Sequence, residues 1–293
     1  MALRVVHRTE YQYESSVSSS YGQLYQRPRA SSGQVVLWCR VDIDPPPDSY
    51  SEFVDFFGNN AANFVVSSAH TRLSITTTSV VDVSTRLLPD LDTSGISWDD
   101  VVGALATSDD AATLDARQFV LPSRAAEVTD AVRIYAASSF RPGRELLHAI
   151  QDLNTRIYND MTYKSGITSL DTTPDELLKI RKGVCQDFAH LEVACLRSLG
   201  LPARYVSGYL ETLPPPGREK LRGADASHAW VSVFVPATGW VDVDPTNNCF
   251  VGSRHVCTAW GRDYSDVSPV KGVIFTEAKS NTMRVSVDVG PDT

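Results

Sequence analysis

The chain has 293 residues, a formal net charge of −8 and an isoelectric point near 5.2. That balance argues against nucleic acid and anionic membrane as bulk partners, because both select basic surfaces. A hydrophobic fraction of 42% allows a sizeable core, and no run of about 18 apolar residues offers a membrane span.

The N-terminal stretch "MALRVVHRTEYQYESS" lacks an apolar signal core. Cys39, Cys185, Cys195, Cys249 and Cys257 are odd in number, scattered and without CxxC spacing. Neither a disulfide framework nor a zinc knuckle is indicated, and a cytoplasmic location is expected.

Residues 1–85 read as strands. In "LRVVHRTEYQY", Leu3, Val5, His7, Thr9, Tyr11 and Tyr13 share one face by two-residue alternation. "QVVLWCRVDID" is a second strand, stopped by the prolines at 45–47. "FVDFFGNNAANFVVSS" reads as two strands around Gly58, Asn59 and Asn60, and "TRLSITTTSVVDV" is rich in β-branched residues. The expected module is a β-sandwich or a similar all-β unit.

Residues 86–122 read as a connector with one short helical stretch, "SWDDVVGALA". Helical spacing follows in "SRAAEVTDAVRIYAASS" and "GRELLHAIQDLNTRIYND". "TTPDELLKIRKG" carries a start signal: Thr173 as cap, Pro174 at the first helical position and Glu176 three residues after the cap, with Gly183 as the stop. A further helix is expected from Cys185 to Gly200. Strand patterns return in "ARYVSGYLE", "HAWVSVFVP", "GWVDVDPT" and "TMRVSVDV", and residues 212–226 read as a long surface loop.

The stretch "KGVCQDFAHL" puts Cys185 at a helix start directly after a turn. The first-turn amides and the helix dipole stabilise a thiolate there, and they can hold the oxyanion of a tetrahedral intermediate. A small buried residue capping a turn would look the same. A nucleophilic thiol also needs a base. His190, five residues along the same helix, points away from the thiol. His228 opens the strand "HAWVSVFVP", and His7, His70, His148 and His255 stand without a partner signal.

A third group must orient the imidazole. "PATG" is a turn, so the strand of His228 and "GWVDVDPT" should form a hairpin. Counting back from the turn places the residue opposite His228 near 246–248. The orienting group is thereby narrowed to Asp244, Asn247 or Asn248, with the choice open.

Taken in order, "GVCQDFAHL", "SHAWVSVFVP" and "GWVDVDPTNN" resemble the core of the transglutaminase-like superfamily. "LYQRPR", "DFFGN" and "DYSDVSPVKGVI" extend the resemblance to its bacterial cysteine-protease subgroup with an N-terminal β domain. The resemblance implies an α+β fold: an all-β domain over 1–85, a connector over 86–122, and over 123–293 a papain-like core of helices packed on an antiparallel sheet. It makes Cys185 the nucleophile, His228 the base and Asp244 the orienter. The tryptophan that the animal enzymes place upstream of the cysteine has no counterpart, since no Trp stands between Trp98 and Cys185; Tyr163 is an alternative oxyanion donor, with packing as its other role.

The expected chemistry is acyl transfer through a thioester on a peptide or protein substrate with an amide group. Water is the default acceptor, giving a peptidase or amidase; an amine acceptor would give a transglutaminase. A binding module without catalysis is the second class of account, and a zinc site on Cys185, His228 and Asp244 a third. No cofactor is expected, no metal, and no calcium loop is seen. Neither nucleic acid nor membrane is an expected partner, and the oligomeric state stays open.

Overall fold

The computed structural model describes residues 2–84, 88–91, 95–212, 227–236, 238–277 and 280–292. The greater part of the loop expected at 212–226 therefore lies outside the described residues. Five strands open the chain: β1 (Ala2–Leu24), β2 (Val35–Asp44), β3 (Ser49–Val54), β4 (Asn60–Val66) and β5 (His70–Asp82). Helices α1 (Trp98–Thr107), α2 (Ala111–Arg117), α3 (Asp130–Ala137) and α4 (Leu146–Asp160) follow. The middle of the chain then runs β6 (Thr162–Tyr163), α5 (Pro174–Ile180), β7 (Lys182–Gly183) and α6 (Cys185–Ser198). The last third holds β8 (Ala203–Leu210), β9 (Ser227–Val235), β10 (Gly239–Asp244), β11 (Cys249–Phe250), β12 (His255–Gly261), α7 (Tyr264–Val267), β13 (Val270–Thr276) and β14 (Asn281–Pro291).

The first five strands form one curled antiparallel sheet in the order β2-β5-β1-β4-β3, rather than a two-layer sandwich. Its axis is β1, whose Leu3, Val5, His7, Thr9 and Tyr13 are buried as the alternation requires. The register of β1 against β5 slips between Gln12 and Val17, and past that slip β4 takes over the same edge. Such a break bends a strand, which lets a single long strand wrap round a core.

The other edge of β1 is covered by β14 and then β13. The structure differs here from the expected division of the chain. Residues 270–276 and 281–291 pair with the first sheet, although the sequence places them after the core. Two-residue periodicity identifies a strand but carries no information on which sheet receives it.

The second sheet is antiparallel, in the order β11-β10-β9-β8-β12, and α6 packs on β8 and β9. Leu3, Val5, Val81, Val83, Val287 and Val289 of the first sheet share one cluster with Tyr209 and Val256 of the second. The outer edge of β12 is capped by side chains from the connections between strands of the first sheet. Asn59 accepts from the Trp260 amide at 2.9 Å and donates to its carbonyl at 2.8 Å. Gln34 does the same for Cys257, accepting from its amide and donating to its carbonyl, both at 2.8 Å. The Arg29 guanidinium lies 3.0 Å from the Trp260 ring centre. Side-chain amides thus pair an edge that would otherwise stay open.

Several of the helices that follow the first sheet are shorter than their sequence patterns. The connector holds both α1 and α2. The helix expected over "SRAAEVTDAVRIYAASS" begins only at Asp130, where Thr129 caps it by accepting from the Val132 amide. Helix α5 has the expected capping box, Thr173 with Glu176, and Pro174 in the first turn. It ends at Ile180 through left-handed Arg181, not at Gly183. Gly183 serves another purpose: a Cβ there would meet the Asp187 carboxylate at 2.6 Å.

Candidate active site

Cys185 is the first residue of α6 and is partly exposed. The approach to it is fixed from both sides. β7 pairs in parallel with β6 through Tyr163↔Gly183, which sets the strand that delivers the helix. Asp187 then reaches back to accept from the Val184 amide at 2.8 Å and from Thr168 Oγ1 at 2.7 Å. The remaining first-turn amides of the helix point out of its N-terminus, where an anion is stabilised. Burial raises the Asp187 carboxyl pKa, against the hydrogen bonds from Val184 and Thr168.

His228 stands opposite Gly208 in the β8–β9 ladder. Gly208 is required there, since a Cβ would meet the Val256 carbonyl at 2.2 Å and the Trp230 ring at 2.5 Å. The β9–β10 hairpin forms as expected, with Val231 opposite Val243. At Asp244 the chain leaves the ladder and turns through Asn248, whose φ of 50° is left-handed. Asp244 is fully buried, and its Oδ2 accepts from His228 Nε2 at 2.7 Å.

Of the three residues left open as partners of His228, Asp244 makes the short contact. Asn247 Nδ2 lies 3.3 Å from His228 Nε2 and donates to Asp244 Oδ2 at 2.7 Å. Asn248 turns the other way, accepting from Asn154 and Thr155. The Asp244 Oδ1 atom accepts from the amides of Thr246 at 2.9 Å and Asn247 at 3.1 Å. His255 Nε2 bonds to Oδ2 at 3.1 Å. Sequence reasoning gave His255 no role. Its place beside Asp244 depends on β12 pairing with β8, which no local pattern reveals.

These contacts decide the charge of the imidazole. Burial opposes the imidazolium, but hydrogen bonds and negative charge from Asp244 and Cys185 outweigh it and raise His228 to about 10. Burial likewise opposes the Asp244 carboxylate, and its bonds to His228 and His255 hold its pKa well below the usual range. With Nε2 engaged by Asp244, the imidazole nitrogen left for the Cys185 sulfur is Nδ1.

Two other residues singled out in the sequence stand differently. His190 is buried on the far side of the helix, where it accepts from the Tyr264 amide at 3.2 Å and packs 4.7 Å from the Tyr205 ring. Tyr163 is 57% exposed on β6, with its ring edge-on to Phe188. The ligand atoms of His228, Asp244 and His255 lie within 4.8 Å of one another, close enough to share an ion. Those atoms are already joined by hydrogen bonds. A cation there would have to displace a proton that His228 keeps up to about pH 10.

Comparison with known proteins places this geometry. Residues 3–82 match the bacterial transglutaminase-like N-terminal region, and residues 135–245 match the transglutaminase-like superfamily. An uncharacterized protein of Mycobacterium tuberculosis strain H37Rv is 45% identical over 300 residues, covering 98% of this chain and 92% of its own length. The chain belongs to the transglutaminase-like superfamily. A second uncharacterized relative, from Mycobacterium leprae, is 33% identical and covers 92% of each chain. A crystal structure from Cytophaga hutchinsonii, described as a candidate cysteine protease, superposes with a TM-score of 0.75 at 24% identity, over 100% of this chain and 92% of that one. A protein-glutamine gamma-glutamyltransferase of Pseudomonas aeruginosa is 40% identical over 86 residues, 29% of this chain and 13% of its own.

Proposed function

We propose that this protein is a thiol hydrolase of peptide or amide bonds, with Cys185 as nucleophile, His228 as proton carrier and Asp244 as its orienter. The observation that carries this reading is one imidazole whose Nε2 meets a buried carboxylate at 2.7 Å and whose basicity is raised both by that carboxylate and by the helix-tip thiol. In this reading His228 takes the thiol proton as the reaction begins. The Cys185 sulfur attacks the carbonyl carbon, and the Cys185 amide faces the resulting oxyanion. The imidazolium gives its Nδ1 proton to the departing amine, and the carbon–nitrogen bond breaks to leave a thioester. Water then attacks the thioester, passes a proton back to His228, and the acid product leaves as the sulfur is released.

Amine transfer is the second reading, favoured by the stretch shared with the Pseudomonas aeruginosa enzyme. The partner in either case is a peptide or protein with an amide group. A test joins the two. The protein is incubated with a peptide library in isotopically labelled water, with and without a primary amine, and products are read by mass spectrometry. Label in a new carboxylate supports hydrolysis. Amine adducts with no labelled carboxylate overturn it in favour of transfer. Products that persist in Cys185→Ala overturn both.

A further inference from the structure

Helix α6 buries four polar or charged side chains: Asp187, His190, Glu192 and Arg197. Three are fully engaged. Asp187 caps Val184, His190 takes the Tyr264 amide, and Arg197 donates to the carbonyls of Phe119, Ala203 and Arg262. Glu192 is the exception. It is 0% exposed, and neither carboxyl oxygen has a hydrogen-bond partner among the described residues. An unmet buried carboxyl is costly, so a helix that packs its other polar groups this well does not leave one idle without a reason.

The position of Glu192 supplies that reason. It lies seven residues after Cys185, which on an α-helix is the same face, about 10 Å further along. Among the described titratable groups, those that couple to it are Asp244 and Cys195. Two other orphaned atoms border the same turn. Among the described residues, Thr246 Oγ1 is buried without a partner, while the Thr246 amide donates to Asp244. Asn154 Oδ1 is likewise buried without a partner among them, while its Nδ2 donates to Asn248. Helix α4, which carries Asn154, packs on both α6 and β10. Unmet polar atoms are thus found on α6, on α4, which packs against both α6 and β10, and in the turn that holds Asp244.

We propose that Glu192 is a positioning residue: with Asn154 and Thr246 it closes a buried polar chamber whose bound water braces the Asp244 turn from below. Several orphaned oxygens around one site supply the two to four partners that an internal water requires. Burial together with the nearby Asp244 charge raises the Glu192 pKa well above the ordinary carboxyl value, so it enters the chamber as a proton donor. A donor behind Asp244 stabilises the Asp244 anion, weakens its hold on the His228 proton and limits how basic the imidazole becomes. The inference rests on the catalytic reading for its meaning, but its geometry does not depend on turnover.

The test compares Glu192→Gln, which keeps a donor of the same shape, with Glu192→Leu, which removes it. First, infrared spectra at neutral pH should show the carbonyl band of a protonated carboxylic acid that both variants lose; absence of that band in the wild type overturns the proposal. Second, His228 is titrated by NMR in the intact protein. Its midpoint should rise by about half a unit or more in Glu192→Leu and stay near the wild-type value in Glu192→Gln. Equal midpoints in all three proteins, with the leucine variant folded by circular dichroism, overturn the positioning role. If the leucine variant fails to fold, Glu192→Val and Thr246→Val together take its place, with the same readout. Both measurements hold whether or not amide hydrolysis is found, so a failure here is separate from a failure of the proposed activity.

Discussion

Two buried histidines, one in each sheet, are pushed in opposite directions. His7 on β1 is 1% exposed and meets only neutral partners: Tyr209 Oη at 2.8 Å, Thr9 Oγ1 at 3.1 Å and Gln26 Nε2 at 3.3 Å. Burial lowers it to about 4. His228 on β9 is 9% exposed, and burial acts on it in the same sense, yet Asp244 and Cys185 bring it to about 10. Burial alone keeps an imidazole neutral; a buried anion beside it reverses the outcome. The first sheet uses histidine as a hydrogen-bonding spacer between the two cores, and the second holds a charged one.

The strongest break of this contrast removes the thiol. Cys185→Ala should lower amide turnover by about 10⁴-fold or more, the scale seen when a catalytic nucleophile is deleted. In wild type, iodoacetamide followed by peptide mapping should label Cys185 well before Cys195 and Cys257, both buried. Equal rates at all five thiols would speak for a binding module. Asp244→Asn comes next. Without the carboxylate, burial dominates and His228 should shift toward the neutral behaviour of His7, while kcat/KM falls by about 10³–10⁴-fold. The alkaline limb of the wild-type pH profile should lie near 10, where His228 loses its proton, and in Asp244→Asn it should move down. A limb that stays in place separates His228 from the chemistry.

His255→Gln probes a smaller term. It weakens one of the bonds to Asp244 and leaves those from His228, Asn247 and the turn amides. A hydrogen bond to a charged group contributes about 1.5–3 kcal/mol, so a fall of about 10- to 100-fold in kcat/KM is expected, read by steady-state kinetics. An unchanged rate would assign His255 to packing against Trp230, whose ring lies 5.3 Å away.

How much of this was legible in the sequence follows from how local each feature is. The capping box of α5, the hairpin of β9 and β10, and the alternation along β1 are set within a dozen residues, and the chain spells them out. Cys185 at a helix tip belongs to the same class. The choice of Asp244 over Asn247 did not come from counting, because pairing with β9 ends at Val243 and the turn brings side chains from 244 and 247 to the same imidazole. Glu192 near Asp244 and the return of β13 and β14 to the first sheet are contacts made across tens to hundreds of residues, and His255 reaches Asp244, eleven residues away, only because β12 pairs with the distant β8. Composition and periodicity carry no term for them. "LYQRPR" and "DFFGN" fall between: they were legible as resemblance, but their physical task, closing the edge of β12, needed Arg29, Asn59 and Trp260 in one place.

The smallest expected effect belongs to the other histidine and concerns stability. His7 has a folded value of about 4, below the 6.5 of an unfolded chain. Between those values the unfolded chain binds a proton that the fold refuses, so stability falls as pH drops from 6.5 toward 4. The interval caps this contribution at about 3 kcal/mol. His228 has the opposite sign: its folded value lies above 6.5, so its contribution is complete below 6.5 and is lost as pH rises through about 10. His7→Gln keeps a donor and an acceptor for Tyr209 and Gln26 but cannot titrate. Urea unfolding should show a flatter loss of stability toward acid in this variant, while amide turnover at neutral pH stays within about twofold of wild type, since the side-chain hydrogen bonds of His7 go to Tyr209, Thr9 and Gln26 and to none of the site residues. A variant with the wild-type acid slope would mean that His7 is not held neutral by burial, and the opposition between the two sheets would rest on His228 alone.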